Sequence, residues 1–450
     1  MRPLPQEFIS RIEKQFPNEH SVFLESLDRA VINSIHLNPK KNATSFQEEE
    51  KVEWWPNGRY LKTRPVFTLD PLFHAGSYYS QESSSMFIGL LAASVMEGKT
   101  AIRGLDMCAA PGGKSILLSE IIGERGFLVS NEISKQRNAI LKENLIKWGA
   151  ANTLVTCNEP LAFEETSEFF DLVLIDAPCS GEGMFRKDDV AREEWSLSNV
   201  EMCASRQRDI LESAMQATAP GGYLIYSTCT FADQENTEQC KFITDSDEWK
   251  GVFFDSISFE NVVSEKTEAY QCFRFLPHKV KGEGFFTAVF QKAGQSEGRA
   301  TRRGPRNDYF RAPSRKEIDA INKLFPSQAD HIISKNNELF RLPCEYETFS
   351  YLLGKLFITK PGLLLGELIR EDIIPAHDIA MIPNECSVFP SIEVDEATAL
   401  SYLRKEDIKI ETPIVGWALL TFKGVNLGWI KVLKNRVNNY YPKEWKIRMS

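Results

Sequence analysis

The pattern of apolar and polar positions changes its period along the chain, and from about residue 86 two periods alternate. Segments with apolar residues three or four positions apart predict helices, and short, continuously apolar segments predict buried strands. The predicted helices are MFIGLLAASVM, SILLSEII, SKQRNAILKENLIKW and MCASRQRDILESAMQAT, and the predicted strands are AIRGLDM, GFLVSNE, TLVTC, FDLVLIDAP, YLIYSTCT and GFFTAVFQK. This order is typical of a doubly wound, mostly parallel α/β sheet.

Local signals place some ends of these elements. Ser134 and Gly149 are expected to begin and end the third helix, and Pro220-Gly221-Gly222 is expected to end the fourth. In a doubly wound sheet, ligands bind beyond the carboxyl ends of the strands. The residues that follow each predicted strand are therefore the candidates for chemistry.

The same pattern predicts five segments. Residues 1–80 begin with an amphipathic helix around Phe8 and Ile12 and predict a small α+β domain. Residues 81–293 contain the sheet, and residues 294–316 predict a basic linker. Residues 317–385 predict a linking α+β domain with helices at IDAINKLF and YLLGKLFI, and residues 386–450 alternate as in a small β-rich domain.

Composition limits the class of protein only broadly. We find no apolar segment long enough to span a membrane and no apolar signal-peptide core, so we expect a cytoplasmic protein with no membrane partner. The net charge of −9 argues weakly against a nucleic-acid partner, but residues 299–316 and 423–448 are locally basic. Each basic segment is either solvated surface or a set of phosphate contacts.

The first predicted strand leads into CAAPGGKS, residues 108–115. Gly113, Lys114 and Ser115 match the second half of a P-loop, but Cys108 stands where its first glycine should be. Glu132 follows the next strand, where an acid can bind ribose hydroxyls. This arrangement favours a nucleoside-carrying cofactor, while a P-loop nucleotidase and a simple tight turn stay open as alternatives.

Three further strands end in polar residues. Asn158 and Glu159 follow the third strand, near the place expected for an adenine, and Asp176 follows the fourth. Cys179 lies just beyond Asp176, and Cys229 ends the strand YLIYSTCT. Nine cysteines without a C-x-x-C pair predict free thiols and no metal site.

Two thiols, an acid and a nucleoside cofactor fit one reaction in particular. Carbon 5 of cytosine is a poor nucleophile, but addition of a thiolate to carbon 6 converts the ring to an enamine that can accept a methyl group. An acid such as Asp176 would assist by protonating ring nitrogen 3, and a second thiol can assist release. Spacing alone does not decide which cysteine attacks.

The motifs together resemble one family. CAAPGGKS, DAPCSGEG, YSTCTF with Glu235 and Asn236, FLPHKVKGEGFF and GSYYSQESSSM are similar to segments of the Sun-type RNA cytosine-5 methyltransferases. This resemblance covers about residues 1–292. The C-terminal third resembles the PUA-like, RNA-binding tail of bacterial small-subunit ribosomal RNA enzymes of the RsmF/YebU type, on GW, LGW and NNYYPK.

The resemblance implies a Rossmann-like class I methyltransferase domain, S-adenosyl-L-methionine as cofactor and small-subunit ribosomal RNA or its precursor as partner. Cys229 matches the nucleophile, Cys179 the thiol that releases product, and Asp176 the acid between cofactor and base. The implied cofactor-binding residues are Cys108, Ala109, Ala110, Pro111, Gly112, Gly113, Lys114, Glu132, Glu159 and Asp176. Because the family usually has Asp at the position of Glu159, either Glu159 or Asn158 is expected to contact the adenine.

The remaining expectations concern partners and alternatives. We expect a monomer, with basic segments that bind RNA phosphate. Arg186 and Lys187 are candidates for such contacts, with a solvated loop as the equal alternative. An RNA-binding ribosome assembly factor without catalytic activity, or a cytosine-5 methyltransferase acting on tRNA, stays open beside the ribosomal RNA enzyme.

Overall fold

The computed structural model describes residues 2–41, 45–295, 304, 309–325, 331–383 and 385–449. Within these residues the strands form four sheets. The first sheet, with strand order β2-β3-β1-β4, is antiparallel and lies near the N-terminus. Its region contains α1 (Gln6–Gln15), α2 (His20–Ser26), β1 (Ser34–Leu37), β2 (Glu50–Lys51), β3 (Gly58–Tyr60), α3 (Pro71–His74) and β4 (Tyr78–Ser80).

The largest sheet holds the predicted α/β pattern. Its region contains α4 (Phe87–Met96), β5 (Arg103–Asp106), α5 (Gly113–Ile122), β6 (Phe127–Asn131), α6 (Lys135–Trp148), β7 (Thr153–Thr156), β8 (Phe170–Asp176), α7 (Asp189–Glu194), α8 (Leu197–Ala217), β9 (Thr218–Thr228), α9 (Thr237–Thr244), β10 (Trp249–Gly251), β11 (Val263–Lys266), β12 (Gln271–Phe275) and β13 (Phe285–Lys292). As predicted, the Ser134 side chain caps α6, and Gly149 ends it in the left-handed conformation.

The strand order of this sheet places the chemistry at one edge. The order is β11-β12-β13-β9-β8-β5-β6-β7, and the five strands β5 to β9 run parallel. The chain order reverses at β5, between β6 and β8, so a crevice is expected beyond the carboxyl ends of these strands. Side chains of β8 are buried alternately in two hydrophobic clusters, with Leu172 and Leu174 on one face and Val173 and Ile175 on the other.

The fourth predicted helix ends close to its predicted position, but Pro220-Gly221-Gly222 form part of a strand and not a separate turn. Helix α8 ends at Ala217, and these three residues lie inside β9. The pairing with β8 moves from Thr218 opposite Phe170 to Tyr223 opposite Leu172, so residues 219–222 form a bulge. A bulge accommodates proline within a strand because its missing N–H is not required by the ladder there.

The remaining strands form two smaller sheets and one extension of the large sheet. Their region contains α10 (Arg315–Leu324), β14 (Ile332–Lys335), β15 (Glu338–Arg341), α11 (Tyr346–Leu353), β16 (Ile358–Lys360), β17 (Leu363–Ile369), β18 (Asp372–Pro375), α12 (His377–Ala380), β19 (Ser391–Glu393), α13 (Glu396–Leu403), β20 (Gly416–Phe422), β21 (Val425–Leu433) and β22 (Arg436–Asn439). The two sheets have orders β14-β15-β17-β18 and β19-β20-β21-β22.

The prediction of one helix over YLLGKLFI is wrong in its second half. Helix α11 ends at Leu353, and Ile358 begins β16, which pairs antiparallel with β7 at the edge of the large sheet. The segment 354–360 therefore joins the predicted linking domain to the large sheet. The basic residues Arg299, Arg302, Arg303 and Arg306 lie outside the described residues. No helix in the described part of the chain is long and apolar enough to cross a membrane.

Candidate active site

An ion pair joins the ends of two parallel strands to the glycine turn. Asp176, the last residue of β8, accepts a hydrogen bond from Lys114 Nζ at 2.8 Å on Oδ2 and one from Ser227 Oγ at 3.0 Å on Oδ1. Lys114 lies in the first turn of α5 and Ser227 near the end of β9. The Asp176 carboxylate is thereby held at a fixed place in the crevice.

The charge of Lys114 is maintained by its neighbours. Burial of the ammonium acts to lower the pKa of Lys114, but the attraction and hydrogen bond of Asp176 outweigh it, so the pKa lies above its ordinary value. A negative charge on Cys229 contributes to the same rise. Lys114 is therefore a cation close to both the acid and one of the thiols.

The two thiols lie against each other. Cys179 Sγ and Cys229 Sγ are 3.3 Å apart, within hydrogen-bond distance for sulfur. The hydrogen bond to Cys229, followed by burial, raises the pKa of the Cys179 thiol well above its ordinary value. Cys179 is therefore a protonated thiol at neutral pH and can donate its S–H to a negative Cys229 sulfur. All nine cysteines are free thiols.

A buried carboxylate ties the two cysteine loops together. Glu235 is fully buried and accepts hydrogen bonds from Ser180 N at 2.9 Å, Ser180 Oγ at 2.5 Å and Gln207 Nε2 at 3.0 Å. Burial raises the pKa of Glu235 despite these hydrogen bonds. Because Ser180 follows Cys179 directly, this network fixes the loop that carries the thiol.

A second buried carboxylate, Glu182, extends that connection to the N-terminal region. Its oxygens accept from Phe231 N at 2.9 Å, Trp195 Nε1 at 2.9 Å and Arg11 Nη2 at 2.6 Å. Glu182 thus connects the loop after Cys179 with the loop after Cys229, and Arg11 connects both loops to α1. The sequence does not predict this role, because a glutamate between two glycines, as Glu182 is in DAPCSGEG, has the pattern of a solvated loop residue.

The glycine turn is braced from α6. Arg137 Nη2 donates to Ala110 O at 2.7 Å, and Asn144 Nδ2 donates to Pro111 O at 2.8 Å. Gly112 precedes α5 with a φ of 121°, a conformation that side chains disfavour, and no side chain caps the helix. The first N–H groups of α5 can therefore bind an anionic group of a ligand.

Two acids lie near this turn. Asp106 ends β5 in a fully buried position, where Ser115 Oγ donates to its Oδ2 at 2.7 Å, and burial raises the pKa of Asp106 to about 7. Glu132 accepts from Ser134 N at 2.9 Å and pairs with Arg137 Nη1 at 3.0 Å. A carboxylate has about four acceptor positions, so Glu132 keeps room for ribose hydroxyls.

The two candidates for the adenine contact differ in their surroundings. Both polar atoms of the Asn158 side chain are engaged by the backbone of Phe357, with Phe357 N donating to Oδ1 at 2.9 Å and Nδ2 donating to Phe357 O at 3.3 Å. Glu159 is exposed. Glu159 is thus the freer of the two residues to accept a hydrogen bond from a ligand.

The phosphate-contact hypothesis for Arg186 does not fit its position. Arg186 is buried and donates to Gly282 O at 2.6 Å and Ala30 O at 3.1 Å, so it connects the N-terminal region to the sheet. Lys187 is partly exposed and forms an ion pair with Glu283 at 2.5 Å.

Comparison with known proteins agrees with this geometry. The family described as 16S rRNA methyltransferase RsmB/F matches residues 93–291, the RsmF N-terminal domain matches residues 4–83, and the RsmF PUA domain matches residues 389–447. Ribosomal RNA small subunit methyltransferase F of Shewanella loihica is 31% identical, covering 99% of this chain and 96% of its own. The Vibrio cholerae protein of that name is 30% identical over 98% and 97%.

This chain belongs to the RsmB/F family. Family membership confirms the resemblance to Sun-type enzymes, the α/β fold with its PUA domain, and S-adenosylmethionine as the cofactor of an rRNA methyltransferase. Membership in an rRNA methyltransferase family argues against the alternative of a P-loop nucleotidase. A methyltransferase homolog from Pyrococcus horikoshii, 24% identical with a TM-score of 0.54 over 64% of this chain and 95% of its own, shares the fold.

The residues present fit the RsmB/F cofactor. The uncapped start of α5 offers N–H donors for its carboxylate, and the spare acceptor positions of Glu132 suit its ribose. The exposed Glu159 follows β7, beside the strand that ends near Glu132. These groups line one continuous edge of the sheet, with the two thiols farther along it beyond β8 and β9.

Proposed function

We propose that this chain methylates carbon 5 of cytosine in small-subunit ribosomal RNA, through a covalent bond between Cys229 and the base. The observation that carries the proposal is the pair of thiols 3.3 Å apart, next to the Lys114–Asp176 ion pair and the cofactor turn. An enzyme that methylates an oxygen or an exocyclic amine has no need of a thiol pair. We also propose that the chain acts as a monomer.

Attack begins at Cys229. Its thiolate sulfur adds to carbon 6 of cytosine, and the electron pair of the carbon 5–carbon 6 double bond moves into the ring. The Lys114–Asp176 pair holds a proton that Asp176 delivers to ring nitrogen 3, so charge does not accumulate on the base.

S-adenosylmethionine supplies the methyl group that carbon 5 accepts. A base then removes the proton from carbon 5, and the bond between carbon 6 and Cys229 Sγ breaks as the carbon 5–carbon 6 double bond forms again. Ring nitrogen 3 returns its proton to the Lys114–Asp176 pair through Asp176. Cys179 stabilises the departing thiolate by donating its S–H across the 3.3 Å that separates the two sulfurs. Its raised pKa keeps that proton in place.

The cofactor-binding role is proposed for the turn Cys108 to Lys114, with Glu132 on the ribose and Asp176 between cofactor and base. For the adenine edge we propose Glu159 rather than Asn158. The support is that the Asn158 amide already pairs with the Phe357 backbone on both of its polar atoms.

The test is methyl transfer from labelled S-adenosylmethionine to 16S rRNA, to isolated small subunits and to tRNA, followed by digestion to nucleosides. We expect label in 5-methylcytidine, and the better substrate shows whether the enzyme acts on naked RNA or on the assembled subunit. Label in another nucleoside would overturn the cytosine-5 proposal. Label only in tRNA would favour the tRNA enzyme, and cofactor binding without transfer to any of these RNAs would favour an assembly factor.

A further inference from the structure

A phenylalanine from outside the methyltransferase sheet reaches the cofactor edge. Phe357 lies just before β16, the short strand that the linking region adds to β7. Its side chain is 65% exposed, which is unusual for a large aromatic residue between a helix and a sheet strand. It belongs to none of the hydrophobic clusters formed by the described residues.

The backbone of Phe357 is fixed at the carboxyl end of β7. Cys157 N donates to Phe357 O at 3.0 Å, and the Asn158 side chain holds both the N–H and the carbonyl of Phe357. Two residues farther on, Thr359 Oγ1 donates to Asn138 Oδ1 on α6 at 2.9 Å. These hydrogen bonds fix the backbone that carries the exposed Phe357 ring.

Two other exposed apolar residues lie close to residues 157–159, one through a backbone contact and one along the chain. Ile133 follows Glu132, is 51% exposed, and accepts a hydrogen bond from Cys157 Sγ at 3.4 Å through its carbonyl. Leu161 lies two residues after Glu159 and is 68% exposed. Three exposed apolar residues are therefore close to residues 157–159. Glu132, the candidate for the ribose, and Glu159, the candidate for the adenine amine, lie at the same edge of the sheet.

We propose that Phe357 forms one wall of the adenine pocket, so that the linking region, and not the methyltransferase domain alone, completes the S-adenosylmethionine site. An adenine offers an apolar face to the ring and an amino edge to Glu159. This inference rests on the proposed placement of the adenine beyond β7.

The physical reason for such a wall is stacking on a preorganised ring. Aromatic residues contact bases strongly and lose little side-chain entropy in doing so. Because the hydrogen bonds of Asn158 and Cys157 fix the Phe357 backbone before any ligand arrives, little further ordering is needed on binding. The exposed apolar surface is covered when the cofactor binds.

The test is the affinity of the full-length chain for S-adenosylhomocysteine and for adenosine, measured by calorimetry. We expect Phe357→Ala to weaken both by about tenfold, equal to about 1.4 kcal/mol. Phe357→Tyr keeps the ring and is expected to restore binding to within about threefold of wild type. Phe253→Ala is the matched control, because Phe253 is also exposed but lies after β10 in the other half of the sheet.

Three outcomes separate the possibilities. Wild-type binding that Phe357→Ala leaves unchanged overturns this inference and leaves the proposed function intact. Weakening by Phe357→Ala that Phe357→Tyr does not reverse, together with a lower unfolding temperature, shows a purely structural role and also overturns it. No binding of S-adenosylhomocysteine by the wild-type chain overturns this inference and the proposed function together.

Discussion

The 3.3 Å between Cys179 Sγ and Cys229 Sγ means that both sulfurs can reach one cytosine, so substitutions must separate their roles. We expect Cys229→Ala to abolish methyl transfer, because no bond to carbon 6 forms. Cys179→Ala is expected to leave attack intact but to block release, because the departing thiolate loses its hydrogen-bond donor. A stable protein–RNA adduct in denaturing gels is the readout.

The two cysteine variants control for each other. The Cys229→Ala chain should form no adduct, and its binding of S-adenosylhomocysteine should equal that of wild type. If instead Cys229→Ala accumulates the adduct and Cys179→Ala does not, the attacking and releasing roles are exchanged.

A second prediction at this scale concerns Asp106. Burial raises the pKa of Asp106 from 3.8 in the unfolded chain to about 7 in the folded protein. Between these values the folded chain binds more protons than the unfolded chain, so its stability falls as pH rises from about 4 to about 7 and is level above that. The pKa difference corresponds to about 4 kcal/mol.

Asp106→Asn should remove this dependence, because the amide has no charge to bury and its oxygen can still accept from Ser115. We expect a higher unfolding temperature than wild type at pH 8 and little difference at pH 4. The measurement is thermal unfolding at both pH values without cofactor. An equal change at both pH values would show that the Asp106 charge does not limit stability.

The sequence predicts candidate reacting groups but not the residues that hold them. Cys179, Cys229 and Asp176 follow strands, and that position is readable from apolar runs and their ends. The residues that hold the cysteine loops have hydrogen-bond partners in distant segments. Arg11 on α1 donates to Glu182, and Gln207 on α8 donates to Glu235. Such pairings depend on packing between helices and loops, which no local pattern encodes.

At the scale of elements, α6, β7 and β16 form the side of the crevice where we propose that the adenine binds. The parallel strands were predictable from their continuous apolar runs. Helix α6 was predictable from its helical spacing of apolar residues and from Ser134 and Gly149 at its two ends. β16 was missed because a three-residue strand is too short to show a period, and LFI continues the apolar pattern of α11. Its strand character comes from pairing with β7.

This edge supports a prediction about Asn158. If Asn158 acts by holding Phe357, Asn158→Ala should weaken S-adenosylhomocysteine binding, and combining it with Phe357→Ala should add little further loss. Residues in one hydrogen-bonded unit are expected to be non-additive in this way. Calorimetry on the two single variants and the double variant completes the cycle. Additive losses would instead indicate that Asn158 contacts the adenine itself.

At the scale of the whole molecule, the N-terminal region, the large sheet and the linking region all contribute to one crevice. α1 reaches the cysteine loops through Arg11, and the linking region reaches β7 through β16. The alternating pattern predicted a large sheet flanked by smaller regions. The contacts between regions could not be predicted, because they depend on single residues. Arg186 is one example, since its sequence context is that of an exposed charged residue although it is buried.

The acidic chain must bind an acidic polymer through local basic surface. Lys434 and Arg436 are exposed at the turn between β21 and β22, within the segment that matches the RsmF PUA domain. If both contact phosphate, RNA affinity should fall steeply with salt. Changing both to Ala should then lessen the slope of log affinity against log salt by about 1.4, since each single-strand phosphate contact contributes about 0.7.

The measurement is RNA binding by fluorescence anisotropy across a salt series. Lys409→Ala is the matched control, an exposed lysine in the same domain but outside the basic segment 423–448. It should leave the slope unchanged, because loss of net charge alone does not remove a phosphate contact. If the double variant lowers affinity equally at every salt concentration, its residues act through packing or base contacts. If wild-type affinity itself is flat with salt, the basic surface does not carry RNA binding.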